Sequence, residues 1–253
     1  MKIVCIGSGN VATHMAQAFN ARGINVVQVF SRDLSHAELL AQKTAAQAIA
    51  DLSLIRRDAD LYVIAVKDDA ITEIAQSLEG VAGLVLHTSG ATDIQVLKNC
   101  KRYGVLYPLQ TFSKSRAIDF SNVPLFIEAG NQAVFSDLKS IADQLSHRVY
   151  EADSEKRRVL HLAAVFACNF VNQLYTLSAD LVEHHGLEFE MLRPLILETA
   201  LKVQSAEPVN VQTGPAVRGD QQTMMNHLDL LTLTPELQGI YETLSNSIKK
   251  THS

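Results

Sequence analysis

Gly7-Ser8-Gly9-Asn10-Val11-Ala12 follows the apolar run KIVCI and opens a segment with helical spacing. It therefore fits G-x-G-x-x-A in the strand-to-helix setting where that pattern holds a pyrophosphate. Gly7 permits the tight turn, Gly9 lets a phosphate approach the backbone, and the small Ala12 lets helix and strand pack closely. The helix N-terminus would then face the anion. The plainer alternative is a glycine turn that only joins strand to helix. At the end of the next apolar run, an Asp or Glu would take the ribose 2′-OH of NAD. The chain has Ser31-Arg32 there, a hydroxyl and a planar cation suited to a 2′-phosphate, although Asp33 follows and could be the acidic residue displaced by one position. NADP(H) is the expected cofactor, with NAD as the open alternative.

Three later stretches end apolar runs in small or polar groups: AVKDDAI (65–71), HTSGA (87–91) and YPLQTF (107–112). In an open parallel sheet, ligands bind outside the carboxyl ends of the strands. Val66, Lys67, Thr88, Ser89 and Pro108 are thus candidates for cofactor contact, and Ser89 and Gln110 for substrate contact, while turn chemistry alone also favours such residues. Lys67, Asp68 and Asp69 read as mostly solvent-facing.

Two constellations could carry the chemistry. Counting about 100° per residue from His161, residues Asn172, Thr176, Asn169, Asp180 and Gln173 fall at about 20, 60, 80, 100 and 120° on one helical face. The stripe is mostly neutral and hydrogen-bonding, either a cleft wall or an interhelical contact. As a cleft wall it makes His161, Asn169 and Asn172 the catalytic candidates, with His161 supplying the proton that accompanies reduction of C=O or C=N. TGPAVRGD (213–220) places Arg218 beside a chain break and Asp220 before a helix, so that Arg218 binds an anionic substrate group or simply pairs with Asp220. His184-His185 read as a helix end rather than a metal site.

The elements that must position these residues follow from hydrophobic period. Short β-rich runs at 2–6, 24–30, 60–66, 83–87, 103–109, 123–130 and 148–152 alternate with helical segments, including TSGATDIQVLKN after the fourth run and residues 131–146 after the sixth. That alternation predicts a doubly wound, mostly parallel sheet, an α/β domain over residues 1–152. From Ser154 to His185 there is no Gly or Pro, which predicts one unbroken helix of roughly 48 Å. Further helices are expected at 188–206, 220–232 and 235–250, making residues 153–253 an all-α domain for substrate binding and dimerisation.

Composition excludes other classes. A net charge of −5 without basic runs leaves no footprint for nucleic acid. Three cysteines, widely spaced, give neither a disulfide framework nor a zinc site, which suits a reducing, cytoplasmic setting. No run of 18 apolar residues occurs, so a soluble protein without a membrane partner is expected.

The stretches IGSGNVATHMAQAF, VFSRD, AVKDDAI, HTSGA, YPLQTF and TGPAVRGD together resemble the superfamily of pyrroline-5-carboxylate reductases, ketopantoate reductases and 3-hydroxyacid dehydrogenases. Within it they are most similar to Rossmann-like NADP oxidoreductases with a C-terminal domain of unknown function. The resemblance covers nearly the whole chain. It implies a nicotinamide cofactor on Gly7, Gly9, Asn10, Val11 and Ala12, a 2′-phosphate near Ser31 and Arg32, and a homodimer formed through the helical half. The long helix lacks the Lys-x-x-x-Asn pair of the hydroxyacid dehydrogenases, so no catalytic lysine carries over. Two readings remain at this point: an NADP(H)-dependent reductase or dehydrogenase acting on a small, anionic carbonyl, imine or hydroxy compound in an interdomain cleft, or a non-catalytic NADP(H)-binding sensor or assembly module.

Overall fold

The computed structural model describes residues 1–253. Strand β1 (Lys2–Ile6) is third from one edge of an eight-stranded sheet whose order is β3-β2-β1-β4-β5-β6-β7-β8. Its neighbours β2 (Asn25–Phe30) and β4 (Leu61–Ile64) pair with it in parallel, as do β3 (Gln47–Ile49) with β2, β5 (Leu84–His87) with β4, and β6 (Tyr103–Pro108) with β5. Strand β7 (Leu125–Ala129) runs antiparallel to β6, and β8 (Val149–Glu151) runs parallel to β7.

Period two sets the two cores. Ile3 and Cys5 of β1 join Met15 and Phe19 of α1 (Asn10–Ala21), Leu40 of α2 (Leu34–Thr44) and Leu138 of α4 (Gln132–Leu145) on one face. Val4 and Ile6 join Tyr62, Ile64 and, from α3 (Ile71–Ser77), Ile71 and Ile74 on the other. Both faces of the sheet are thus covered, and β1 reads as a continuous apolar run.

The segment after β5 departs from the helix expected there. Ser89 Oγ accepts from the N–H groups of Ala91 and Thr92 at 3.1 and 2.9 Å, and Asp93 caps a 3-10 turn over Ile94–Leu97. Side-chain oxygens that capture nearby N–H groups favour turns over an extended helix. The three-residue β3 was not anticipated either.

The long helix begins as α5 (Ser154–Ala164), passes through a π turn at Val165–Phe170 and continues as α6 (Val171–His184). A π turn inserts about one residue, which offsets later positions by about 100°. Asn172, Gln173, Thr176 and Asp180 therefore do not hold the phase to His161 that an unbroken α-helix gives them. By length and composition this helix could cross a membrane, and none of its apolar window is buried within the chain. His161, Asn169, Asn172, Gln173 and Thr176 are among the residues that interrupt an 18-residue apolar run.

The chain forms two compact units, residues 1–169 and 170–253, so they divide within the long helix while the change of texture lies at 152. The second unit holds the rest of the helices: α6, α7 (Arg193–Ser205), two short helices α8 (Pro208–Val211) and α9 (Pro215–Arg218), α10 (Gln221–Leu230) and α11 (Pro235–His252). Asp220 caps α10 through the Thr223 N–H at 3.1 Å.

Candidate active site

The order of the sheet reverses between β1 and β4, and the carboxyl ends of these strands mark the topological switch point. Gly7 leaves β1 here with φ of +121°, its N–H bonded to the Phe30 carbonyl at 2.8 Å. A Cβ on Gly7 would lie 2.1 Å from the Ala65 carbonyl oxygen, so the loop can pass only as glycine. At Gly9 a Cβ would meet nothing, and Gly9 gives α1 no side-chain cap. The first-turn N–H groups of α1 are thus left for an anion. These are the features a pyrophosphate needs, and the residues fit a dinucleotide.

A cavity of about 1140 Å³ surrounds this loop, beyond the roughly 300–1,000 Å³ of ordinary small-ligand pockets and suited to a two-part ligand. All of its lining comes from the first unit. Gly7, Ser8, Gly9, Asn10 and Val11 form its floor. Ala12 is buried beneath them in the core, where its small side chain lets α1 approach β1. After β2 come Ser31, Arg32 and His36, and after β4 Val66, Lys67 and Asp68. Ser8 Oγ donates to Ser31 Oγ at 3.0 Å and ties the glycine loop to the end of β2. Asp33 also borders the cavity, but its Oδ1 accepts from the Ser35 hydroxyl at 2.7 Å and the Ser35 N–H at 2.9 Å. These bonds hold its carboxyl below the usual range and make Oδ1 the cap of α2.

On the β5 and β6 side the lining is Thr88, Ser89, Gly90, Tyr107, Pro108 and Gln110, with His161 from α5. Tyr107 Oη lies 3.0 Å from His161 Nδ1, the rings edge-on at 73°. Burial pushes the Tyr107 phenol up to about 12. Beneath this pair, Arg157, one turn before His161 and fully buried, pairs with Glu128 of β7. Its Nε donates to the Ser89 carbonyl at 3.1 Å and its Nη2 to the Thr92 carbonyl at 2.5 Å. Ser154 completes the anchor, donating to Glu128 at 2.8 Å and accepting from the Ile94 N–H at 3.0 Å. His87, entirely buried, accepts the Ser89 N–H at Nδ1 over 3.2 Å, and burial together with the Arg157 charge holds its imidazole down to about 3.

Of the other sequence candidates, Asn169 is exposed on the π turn and is not part of the cavity lining. Asn172 is exposed on α6 and Arg218 is exposed at the end of α9, both in the second unit. His184 and His185 donate through Nδ1 to the Asp180 and Leu181 carbonyls of their own helix at 2.7 and 2.9 Å. Sequence reasoning passed over Tyr107, although a polar-tipped aromatic at the carboxyl end of a strand was a usable signal. It also passed over Arg157, whose partners lie far away in sequence.

Residues 2–86 match the family described as NADP oxidoreductase, coenzyme F420-dependent, and residues 123–248 match a domain of unknown function. No curated protein matches the chain. A solved protein from Bacteroides fragilis, designated an NADP oxidoreductase, is 45% identical over 98% of this chain and 98% of its own, with a TM-score of 0.94. A reductive aminase from Aspergillus terreus, solved with NADPH and ethyl-5-oxohexanoate, is 14% identical over 100% of this chain and 96% of its own, with a TM-score of 0.73. A pyrroline-5-carboxylate reductase from Coxiella burnetii is 21% identical over 99% and 98%, with a TM-score of 0.59. The latter two share the fold, whereas the first matches in sequence along almost its full length. The glycine loop at the switch point and the Ser31-Arg32 edge are thus those of a family member: the chain belongs to the NADP oxidoreductases that join a Rossmann-type domain to this C-terminal domain.

Proposed function

We propose that the chain is an NADP(H)-dependent reductase or dehydrogenase of a small carbonyl, imine or hydroxy compound, and that His161 moves the proton. The observation that carries this reading is that His161 and Tyr107 border the same cavity as the glycine loop. Bound NADPH supplies the hydride equivalent. Gly7, Ser8, Gly9, Asn10 and Val11 would hold its pyrophosphate, Ser31 and Arg32 its 2′-phosphate, and Val66, Lys67, Thr88, Ser89 and Pro108 its remaining edges. His161 gives a proton to the substrate oxygen or nitrogen in the reductive direction and takes it back in the other, a role open to an imidazole that borders the cavity. Ser89 and Gln110 offer neutral hydrogen-bonding groups to the substrate. An anionic substrate group is the part of the reading that rests on Arg218, exposed beside Asp220, rather than on the cavity.

The test uses a panel of small oxo acids, ketones and imines with NADPH. His161→Gln should leave NADPH affinity, read by fluorescence titration, within about twofold and lower turnover by roughly 10²–10⁴, the usual share of general acid catalysis. Wild-type turnover in this variant would remove His161 from the chemistry. NADPH binding without reduction of any panel member would favour the sensor.

A further inference from the structure

Tyr107 and His161 meet only because nothing stands between them and the Gly90 backbone. A Cβ built on Gly90 would lie 2.7 Å from both Cγ and Nδ1 of His161 and 2.8 Å from Cζ of Tyr107, closer than real Cβ contacts occur. The φ of Gly90 is not in the left-handed region, so space rather than backbone conformation asks for glycine here. Three elements converge at this point: the turn after β5, the end of β6 and the second turn of α5. Each is fixed from behind. Ser89 is held by His87 and Arg157, Tyr107 packs against Phe126 at 6.4 Å, and Arg157 anchors α5.

The hydrogen-bond inventory of the pair then decides which nitrogen carries the proton. A neutral imidazole has one donor and one acceptor nitrogen, and a phenol can donate once. Tyr107 is 8% exposed, and His161 Nδ1 is the one protein group to which its hydroxyl bonds. If Nδ1 carried the hydrogen, the phenolic proton would be left without a protein acceptor in a mostly buried place, at the cost that attends such groups. If Nδ1 is the acceptor, both groups are satisfied. The burial that keeps Tyr107 protonated through the working range favours the same arrangement.

We infer that Tyr107 is a positioning residue for the proton-transfer step: its hydroxyl donates to Nδ1 of His161 and holds the imidazole with its hydrogen on Nε2, and Gly90 supplies the room for the pair. This rests on the role of His161 proposed above and adds which atom of it acts. No protein group hydrogen-bonds Nε2, so that N–H remains available to a substrate oxygen or nitrogen. A serine or alanine at position 90 would force one ring away, and a phenylalanine at 107 would remove the donor while keeping the ring.

Nitrogen-15 NMR on the full chain labelled at histidine and loaded with NADP⁺ reads the tautomer directly. The wild type should show His161 with a protonated Nε2 and an accepting Nδ1, and Tyr107→Phe should show both tautomers in exchange. Gly90→Ala should resemble Tyr107→Phe; should it fail to fold, the phenylalanine variant carries the test alone. In turnover, Tyr107→Phe should lower kcat by roughly 10–100-fold, by analogy with the size found for partners that orient metal-ligating histidines, with NADPH affinity unchanged. The double variant with His161→Gln should be no slower than His161→Gln within about twofold, because Tyr107 acts through His161. A wild-type protein with the hydrogen on Nδ1, or the same single tautomer after Tyr107→Phe, overturns the inference. A double variant slower than His161→Gln overturns it too, since Tyr107 would then deliver a proton itself. If His161→Gln alone keeps wild-type turnover, the earlier reading fails, and the catalytic purpose of the pair fails with it whatever its tautomer.

Discussion

Asp33 and Arg32 sit side by side, and the structure gives them different work. Asp33 accepts the Ser35 hydroxyl and N–H through Oδ1 at the start of α2, and the exposed Arg32 guanidinium on the cavity lining is the cation available to a 2′-phosphate of an adenosine ribose. A charge-assisted contact of that kind contributes roughly ten- to a hundredfold in affinity. Arg32→Ala should therefore lose about that factor for NADPH and little for NADH, as measured by titrating both cofactors; an equal loss for both would show that Arg32 does not read the phosphate. His87 gives a prediction of another kind. Its folded imidazole is held to about 3, below the ordinary 6.5, first by burial and then by the Arg157 charge. Above about pH 6.5 it is neutral in both folded and unfolded chains and adds no pH dependence. As pH falls from 6.5 toward 3, the unfolded chain takes up a proton that the folded one refuses, and stability is lost, by roughly 3–5 kcal/mol at the bottom of the window. Urea denaturation at pH 7 and at pH 4.5 should show a steeper loss for the wild type than for His87→Gln. Equal slopes would mean that His87 is not the group responsible.

What holds these residues in register is the first turns of α5, and here the limits of the sequence become physical. The sequence EKRR at 155–158 looks like a solvated, charged helix start, yet Arg157 is fully buried on Glu128, Ser89 and Thr92. Nothing in the local pattern marks which of two adjacent arginines turns inward, because the partners lie 29 to 68 residues away. Removing one member of a buried pair leaves the other charge stranded. Arg157→Met should cost roughly 3–5 kcal/mol of unfolding free energy in urea titration, and Glu128→Gln in the same chain should restore part of it. No recovery in the double variant would mean that the packing of the arginine stem, not its charge, carries the effect. Strands β1, β2 and β4 to β8 were legible because each is an apolar or β-branched run between turn residues, whereas β3 is three residues beginning with the exposed Gln47. The helix expected after β5 failed because Ser89 and Asp93 bond locally to the backbone, and the π turn escaped notice because VFACNF keeps an α-helical pattern. In the site, the glycine loop, Ser31, Arg32, Ser89 and His161 were readable from strand ends and helix faces, while Tyr107 looked like one more apolar strand residue until its hydroxyl had a partner.

At the scale of the chain, burial is distributed unevenly between the two units. Residues 170–253 amount to 84 residues, yet the only hydrophobic side chains among them that are buried are Ala216, Met224 and Leu231. Helices α6, α7 and α11 contain no buried residue at all. Along α7 and just before it, Met191, Leu195, Leu197 and Leu201 are each more than half exposed, the kind of clustered apolar surface that marks interaction sites. Three buried apolar side chains are few for a unit of this size to set against its conformational entropy. We propose that a second copy of the chain covers these helices, because interfaces between identical chains are closed and self-complementary and because both copies bring the same unburied apolar surface. An obligate interface of this kind resembles a core cut in two and buries upwards of about 2,000 Å². Light scattering on the full chain at micromolar concentration should give twice the 27.7 kDa chain mass. Leu195→Asp with Leu201→Asp should shift the mass toward monomer and expose the second unit to proteolysis, while NADPH binding in the first unit persists. A wild-type monomer that unfolds cooperatively would overturn the dimer. A monomer that floats with phospholipid vesicles would overturn it in favour of a membrane surface, the other apolar environment that a helix of the length and composition of Ser154–His184 could enter.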